Sequence, residues 1–104
     1  MKCDACGKER ETFVAASAYG PISFAYCEEC LANGLEPYSA IVTYISHAGH
    51  FPDDINEFYQ KDVRRQLILH GVSEEQFIKD VNESIEEEQK YWQSFQKENN
   101  NENT

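Results

Sequence analysis

Cys3, Cys6, Cys27 and Cys30 are the four cysteines of this chain, spaced C-x2-C-x20-C-x2-C. At that spacing two short turns can aim four thiolates at one tetrahedral ion. Zinc suits four soft ligands best, one ion per chain, and a shell closed by sulfur leaves no position open for catalysis. Iron in an all-sulfur site is the alternative metal, and a redox dithiol pair the alternative use. The sequence starts MKCDACGK with no apolar signal region, and no apolar run approaches the ~20 residues of a membrane span. A cytoplasmic location is therefore expected, where such pairs hold metal rather than form disulfides.

The two pairs differ in their C-terminal neighbours. Gly7 and Lys8 after Cys6 let "CDACGK" wrap as a knuckle, because glycine tolerates positive φ while backbone N–H groups turn toward the sulfurs. The second pair, "CEECLANG", has acids after Cys27, helix-compatible residues through Asn33 and Gly34 as a stop. It predicts a helix whose first turn carries Cys27 and Cys30, with its dipole favouring thiolate. Between the pairs, Thr12–Ala18 and Ile22–Tyr26 read as strands around a Tyr19-Gly20-Pro21 turn.

Knuckle, hairpin and ligand-bearing helix resemble the treble-clef zinc finger over roughly the first 35 residues. The chain is similar there to short zinc-finger proteins of bacteria and phages. That resemblance implies a fold and a structural metal; it does not imply an activity. The resemblance is also compatible with docking on larger machinery, as phage proteins that resemble this chain can be inhibitors or adaptors of host complexes.

Beyond Gly34 the period becomes helical. "EPYSAIVTYISHAG" predicts a helix with Pro37 at its first position, Tyr38, Ile41, Val42 and Ile45 on an apolar face, and Gly49 as its stop. The next helix is expected to be capped by Asp53 or Asp54, the latter with Glu57 as capping-box partner, and to bury Ile55, Phe58, Tyr59, Val63 and Leu67 before Gly71. Ser73 and Gln76 open the last helix, expected to reach about Lys97 with a seam of Ile78, Val81, Ile85, Glu88, Trp92 and Phe95. The fold class is thus small α+β: a four-cysteine zinc-binding module over residues 1–36, about three helices over 37–97 sharing one core with it, and a polar tail, 98–104, expected to be disordered.

Nine Lys and Arg against 19 Asp and Glu give a formal charge of −10. Asp53 to Thr104 holds 13 acids and 6 bases, a surface that repels phosphate backbones and favours partners with basic patches. The leading functional expectation is a protein-binding module whose last helix presents Tyr91, Trp92 and Phe95 as anchors beside Glu83, Glu86 and Glu87. A seam that satisfies one neighbour can also satisfy a copy of itself, so a homodimer through that helix is a further option.

Two other functions compete. Lys61, Arg64 and Arg65, with the helix from Cys27 to Asn33, form the basis of a nucleic-acid-binding regulator, although acids surround them and no aromatic interleaves them. "HAGHFPDD" collects His47, His50, Asp53 and Asp54, residue types of a hydrolytic metal site, but lacks the i, i+4 histidine pair of a zincin helix. With the cysteines committed to metal, and no nucleophile elbow or phosphate loop, the chain is read as a non-enzyme.

Overall fold

A computed structural model describes residues 1–102, with side chains described through Gln96. Two antiparallel strands, β1 (Thr12–Ala16) and β2 (Ser23–Cys27), pair from Thr12 opposite Cys27 to Ala16 opposite Ser23. Helices α1 (Glu28–Asn33), α2 (Tyr38–Ala48), α3 (Glu57–His70) and α4 (Glu74–Glu102) complete the chain. The strands stop short of the expected turn: the Ser17 N–H makes the last ladder bond, to the Ile22 carbonyl at 2.8 Å, while the Ser17 hydroxyl accepts the Tyr19 N–H and donates to Glu36.

Two apolar clusters divide the core. One surrounds the cysteines and includes Ala5 and Tyr26. The other gathers Ile41 and Ile45 of α2, Val63 and Leu67 of α3, and Phe77 and Val81 of α4, with Tyr19 of the hairpin loop buried among them. Phe24 packs against both clusters, so the hairpin is wedged against the helices.

The segment between the clusters carries the polar joinery. Glu36 is buried, and its carboxyl group accepts from Ser17 Oγ at 2.8 Å, the Ala18 N–H at 3.1 Å and the Tyr26 hydroxyl at 2.6 Å. Its backbone N–H donates to Gln66 Oε1 at 3.0 Å, while Gln66 Nε2 donates to the Gly34 carbonyl at 2.8 Å. Arg65 reaches the carbonyls of Asn33 and Gly34, neutralising the C-terminal end of α1.

Several sequence expectations are corrected by the helices. Pro37 caps α2 from outside, with extended ψ, rather than occupying its first position. The cap of α3 is Asn56, whose Oδ1 accepts the Tyr59 N–H at 3.0 Å, not Asp53 or Asp54. Asp54 is engaged instead by the His50 N–H. With the helix starting at Glu57, the buried stripe falls on Val63, Gln66 and Leu67, with Tyr59 half-buried against it, and Phe58 points to solvent. On α4 the fully buried aromatic is Phe77, next to the expected Ile78, which is only partly covered. Ser73 caps that helix by accepting the Gln76 N–H, but the Gln76 side chain turns forward to Asp80 rather than back to the cap. Helix α4 runs on through Glu102, and the end of the expected tail, residues 103–104, lies outside the described residues.

Candidate metal centre

The four sulfurs converge because each pair is held by its own backbone device. In the first, Gly7 adopts φ +76° and its N–H donates to the Cys3 carbonyl at 2.8 Å, while the Cys3 N–H donates to the Lys8 carbonyl at 3.0 Å. An L side chain is strained at that φ, so glycine allows the chain to double back. The knuckle is stitched to β2 by Asp4, whose N–H donates to the Ala25 carbonyl and whose carboxyl group accepts the Ala25 N–H, both at 2.8 Å. In the second pair, Cys27 ends β2 and stands at the cap of α1, and Cys30 lies inside that helix. Gly34 closes α1 in the left-handed region, and the Leu35 N–H reaches back to the Cys30 carbonyl at 3.0 Å.

All four Sγ atoms lie within 4.8 Å of one another, Cys6 and Cys27 being 3.9 Å apart. A tetrahedron with metal–sulfur bonds of about 2.3 Å has edges of about 3.8 Å, so the four sulfurs match the size of one such ion. Cys3, Cys27 and Cys30 are buried and Cys6 is partly so, and the described residues contain no other comparable group of metal ligands. This cluster of four cysteines can hold a metal ion.

The surroundings divide the thiols electrostatically. Burial pushes the Cys3 thiol up, but backbone N–H donors of Cys6, Cys27 and Ala5 outweigh it and bring it down to about 6. The Cys27 N–H to Cys3 Sγ contact, at 3.3 Å, is one of these. Cys27 is lowered chiefly by the backbone N–H of Cys30. Cys30 is pushed up by its burial and by the other three thiols. Four sulfurs without a cation therefore compete for negative charge, which a divalent ion would relieve. Arg10, bonded to Glu29 at 2.6 Å, stands on the rim as a neighbouring cation.

The remaining candidate residues lie elsewhere. Tyr91, Trp92 and Phe95 stand exposed on α4 in successive edge-to-face contacts at 5.6 and 5.9 Å, and Glu83, Glu86 and Glu87 are exposed on the turns before them. Of the basic residues, Arg64 pairs with Glu74 and lies over the Phe51 ring, while Arg65 pairs with Asp62 and caps α1. His47 contacts Glu88, and His50 contacts Asn82, so these histidines do not converge with Asp53 and Asp54. No helix among the described residues is long and apolar enough to cross a membrane.

Glu36 and Gln66 belong to no spacing motif of the sequence. Gln66 lies one helical turn from Val63 on the inward stripe of α3, a position at which a polar residue signals a buried hydrogen-bonding role. No protein-family model matches the chain, and comparisons with curated proteins and with solved structures also return no match.

Proposed function

We propose that the chain is a zinc-stabilised protein-binding module of treble-clef type, in which one Zn²⁺ on Cys3, Cys6, Cys27 and Cys30 is structural and α4 docks on another protein. The observation that carries it is the exposure of Trp92 and Phe95 on the stripe that is buried earlier in the same helix. Phe77 and Val81 are 0% exposed, whereas Trp92 is 51% and Phe95 46% exposed. Aromatic side chains left half in water are typical anchors of a docking surface. An all-sulfur ion has no open coordination position, in keeping with a scaffold rather than a catalyst. Adaptor or inhibitor of a larger complex is the role such a module would serve.

The test is a photo-crosslinking amino acid placed at Trp92 in cells producing the chain, with the same group at exposed Phe58 as control. A defined protein crosslinked from Trp92 but not from Phe58 supports docking through α4. Equal yields from the two positions, or none from Trp92, would sink the reading. Native mass spectrometry of the same preparation decides the metal: one zinc per chain is expected, whereas iron or a two-proton loss per cysteine pair contradicts it.

A further inference from the structure

Helices α2 and α4 advance side by side in the same direction. Tyr38 meets Phe77 and Asp80, Ser46 meets Ser84, and His47 meets Glu88. At that point α2 stops, because Ala48 is its last residue, while α4 continues. Trp92 and Phe95 therefore extend a stripe whose covering helix has ended. His47 also belongs to a second feature, an open cleft of about 660 Å³ between the outer face of α2 and the hairpin loop. Its walls are largely apolar, with Tyr19, Ile22 and Phe24 opposite Thr43 and Tyr44. Through His47, which lines the cleft and contacts Glu88, the cleft reaches α4 one helical turn before Trp92.

We infer that cleft and stripe are one site, and that it takes a basic amphipathic helix of a partner protein: the helix covers Trp92 and Phe95 and lodges an apolar side chain in the cleft. This rests on the reading of α4 as the docking helix and adds the chemistry of the partner and the second half of the site. Exposed Glu83, Glu86 and Glu87 lie on the turns of α4 that lead into the uncovered stripe, in a chain of formal charge −10. A second copy would bring like charge against like charge, whereas lysines and arginines flanking an apolar face would meet opposite charge and be steered toward it. Volumes of roughly 300–1,000 Å³ are typical of ligand pockets, so the cleft has room for a large side chain.

The probe is a synthetic Leu/Lys amphipathic peptide of about 16 residues, with a Leu/Glu peptide of the same pattern as control, added to the full zinc-loaded chain. Amide shifts are expected both at Thr43–Ala48 with Tyr19–Ile22 and at Gln89–Gln96, with affinity falling about tenfold or more between roughly 50 and 300 mM salt. The double variant W92A/F95A should weaken binding about tenfold. The variant T43W, which fills the cleft from an exposed position, should weaken it about fivefold while its amide spectrum stays folded. Shifts confined to α4 with T43W binding normally would overturn the shared site and leave docking through α4 standing. Equal binding of the two peptides, or no binding by either, would overturn the basic partner, and the Trp92 crosslink then decides separately whether α4 docks at all. A stable dimer in sedimentation that protects Trp92 would replace the basic helix by a second copy.

Discussion

The hydroxyl of Tyr26, one residue before the third cysteine, donates to Glu36 Oε1 at 2.6 Å in the interior of the protein. Glu36 in turn donates its backbone N–H to Gln66 of α3. The cysteine cluster and the helical core are therefore joined by buried hydrogen bonds. Replacing Glu36 with Ala removes the acceptor of the part-buried Ser17 hydroxyl and Ala18 N–H and leaves the buried Tyr26 hydroxyl unpaired. Such a loss costs about 1–3 kcal/mol for each unsatisfied group. E36A should lower the unfolding free energy by about 3 kcal/mol in urea denaturation at fixed zinc, and E36Q, which retains one acceptor oxygen, by less. A loss under about 0.5 kcal/mol for E36A would show that these contacts do not join the two parts.

Metal removal should have effects well beyond the knuckle. The sheet has only two strands, a size marginal in water without further support, and its support is the sulfur cluster at one end and Tyr19 in the helical core at the other. Chelation should release one equivalent of metal and collapse the amide signals of β1, β2 and α1 first, because structural zinc supplies on the order of 10–16 kcal/mol to such a module. The variant C30A should reproduce this without chelator. A chelated chain that retained the β1–β2 amide pattern would mean that the cysteines do not depend on an ion for their geometry.

The cysteine cluster was legible because it depends on spacing: Cys-x-x-Cys twice, Gly7 and Gly34 each specify a local conformation that few other sequences satisfy. The caps and faces of the helices were less legible where neighbours compete. Asp53, Asp54 and Asn56 are all good caps, and the choice of Asn56 follows from burying Ile55 while Asp54 binds the His50 N–H. That choice rotates Phe58 out to solvent. Phe77 and Ile78 likewise both fit a helical period, and only the approach of Phe51 and Tyr38, at 5.2 and 6.3 Å between ring centroids, selects Phe77. Glu36 was illegible for another reason: its partners come from the hairpin and from α3, and no local pattern encodes a contact across those separations.

Tyr19 and Asp62 link stability to pH at both ends of the scale. Burial and the hydrogen bond to Asp62, 2.6 Å long, push the Tyr19 phenol far above its ordinary value of about 10. The neutral phenol is therefore the form that folding favours, and its contribution is complete below pH about 10 and lost as pH rises through the raised value. Asp62 is raised by burial, but donation from Tyr19 and Arg65 outweighs this and holds it below the usual carboxylate range. Its contribution is present above pH about 4 and lost as pH falls through the depressed value. Y19F should flatten the alkaline limb of stability, and D62N the acid limb, each compared with the parent chain at equal zinc. Tyrosinate absorbance should show Tyr19 ionising only together with unfolding. Parallel pH profiles for parent and D62N below pH about 4 would contradict this assignment.

Trp92 and Phe77 lie on the same stripe of α4 with opposite consequences for folding. Phe77 is fully buried between Phe51 and Tyr38, so F77A should open a cavity and cost about 3–5 kcal/mol. Trp92 contacts Tyr91 and Phe95 on the same exposed surface, and W92A should stay within about 0.5 kcal/mol of the parent. The two values, read from urea midpoints at constant slope, separate a residue retained for the core from one free for docking. Trp92 is the only tryptophan, so its fluorescence provides a second check: ready quenching by iodide in the free chain is expected. Protection from iodide together with a loss of about 2 kcal/mol or more in W92A would place this side chain in the core and remove α4 as an open docking surface.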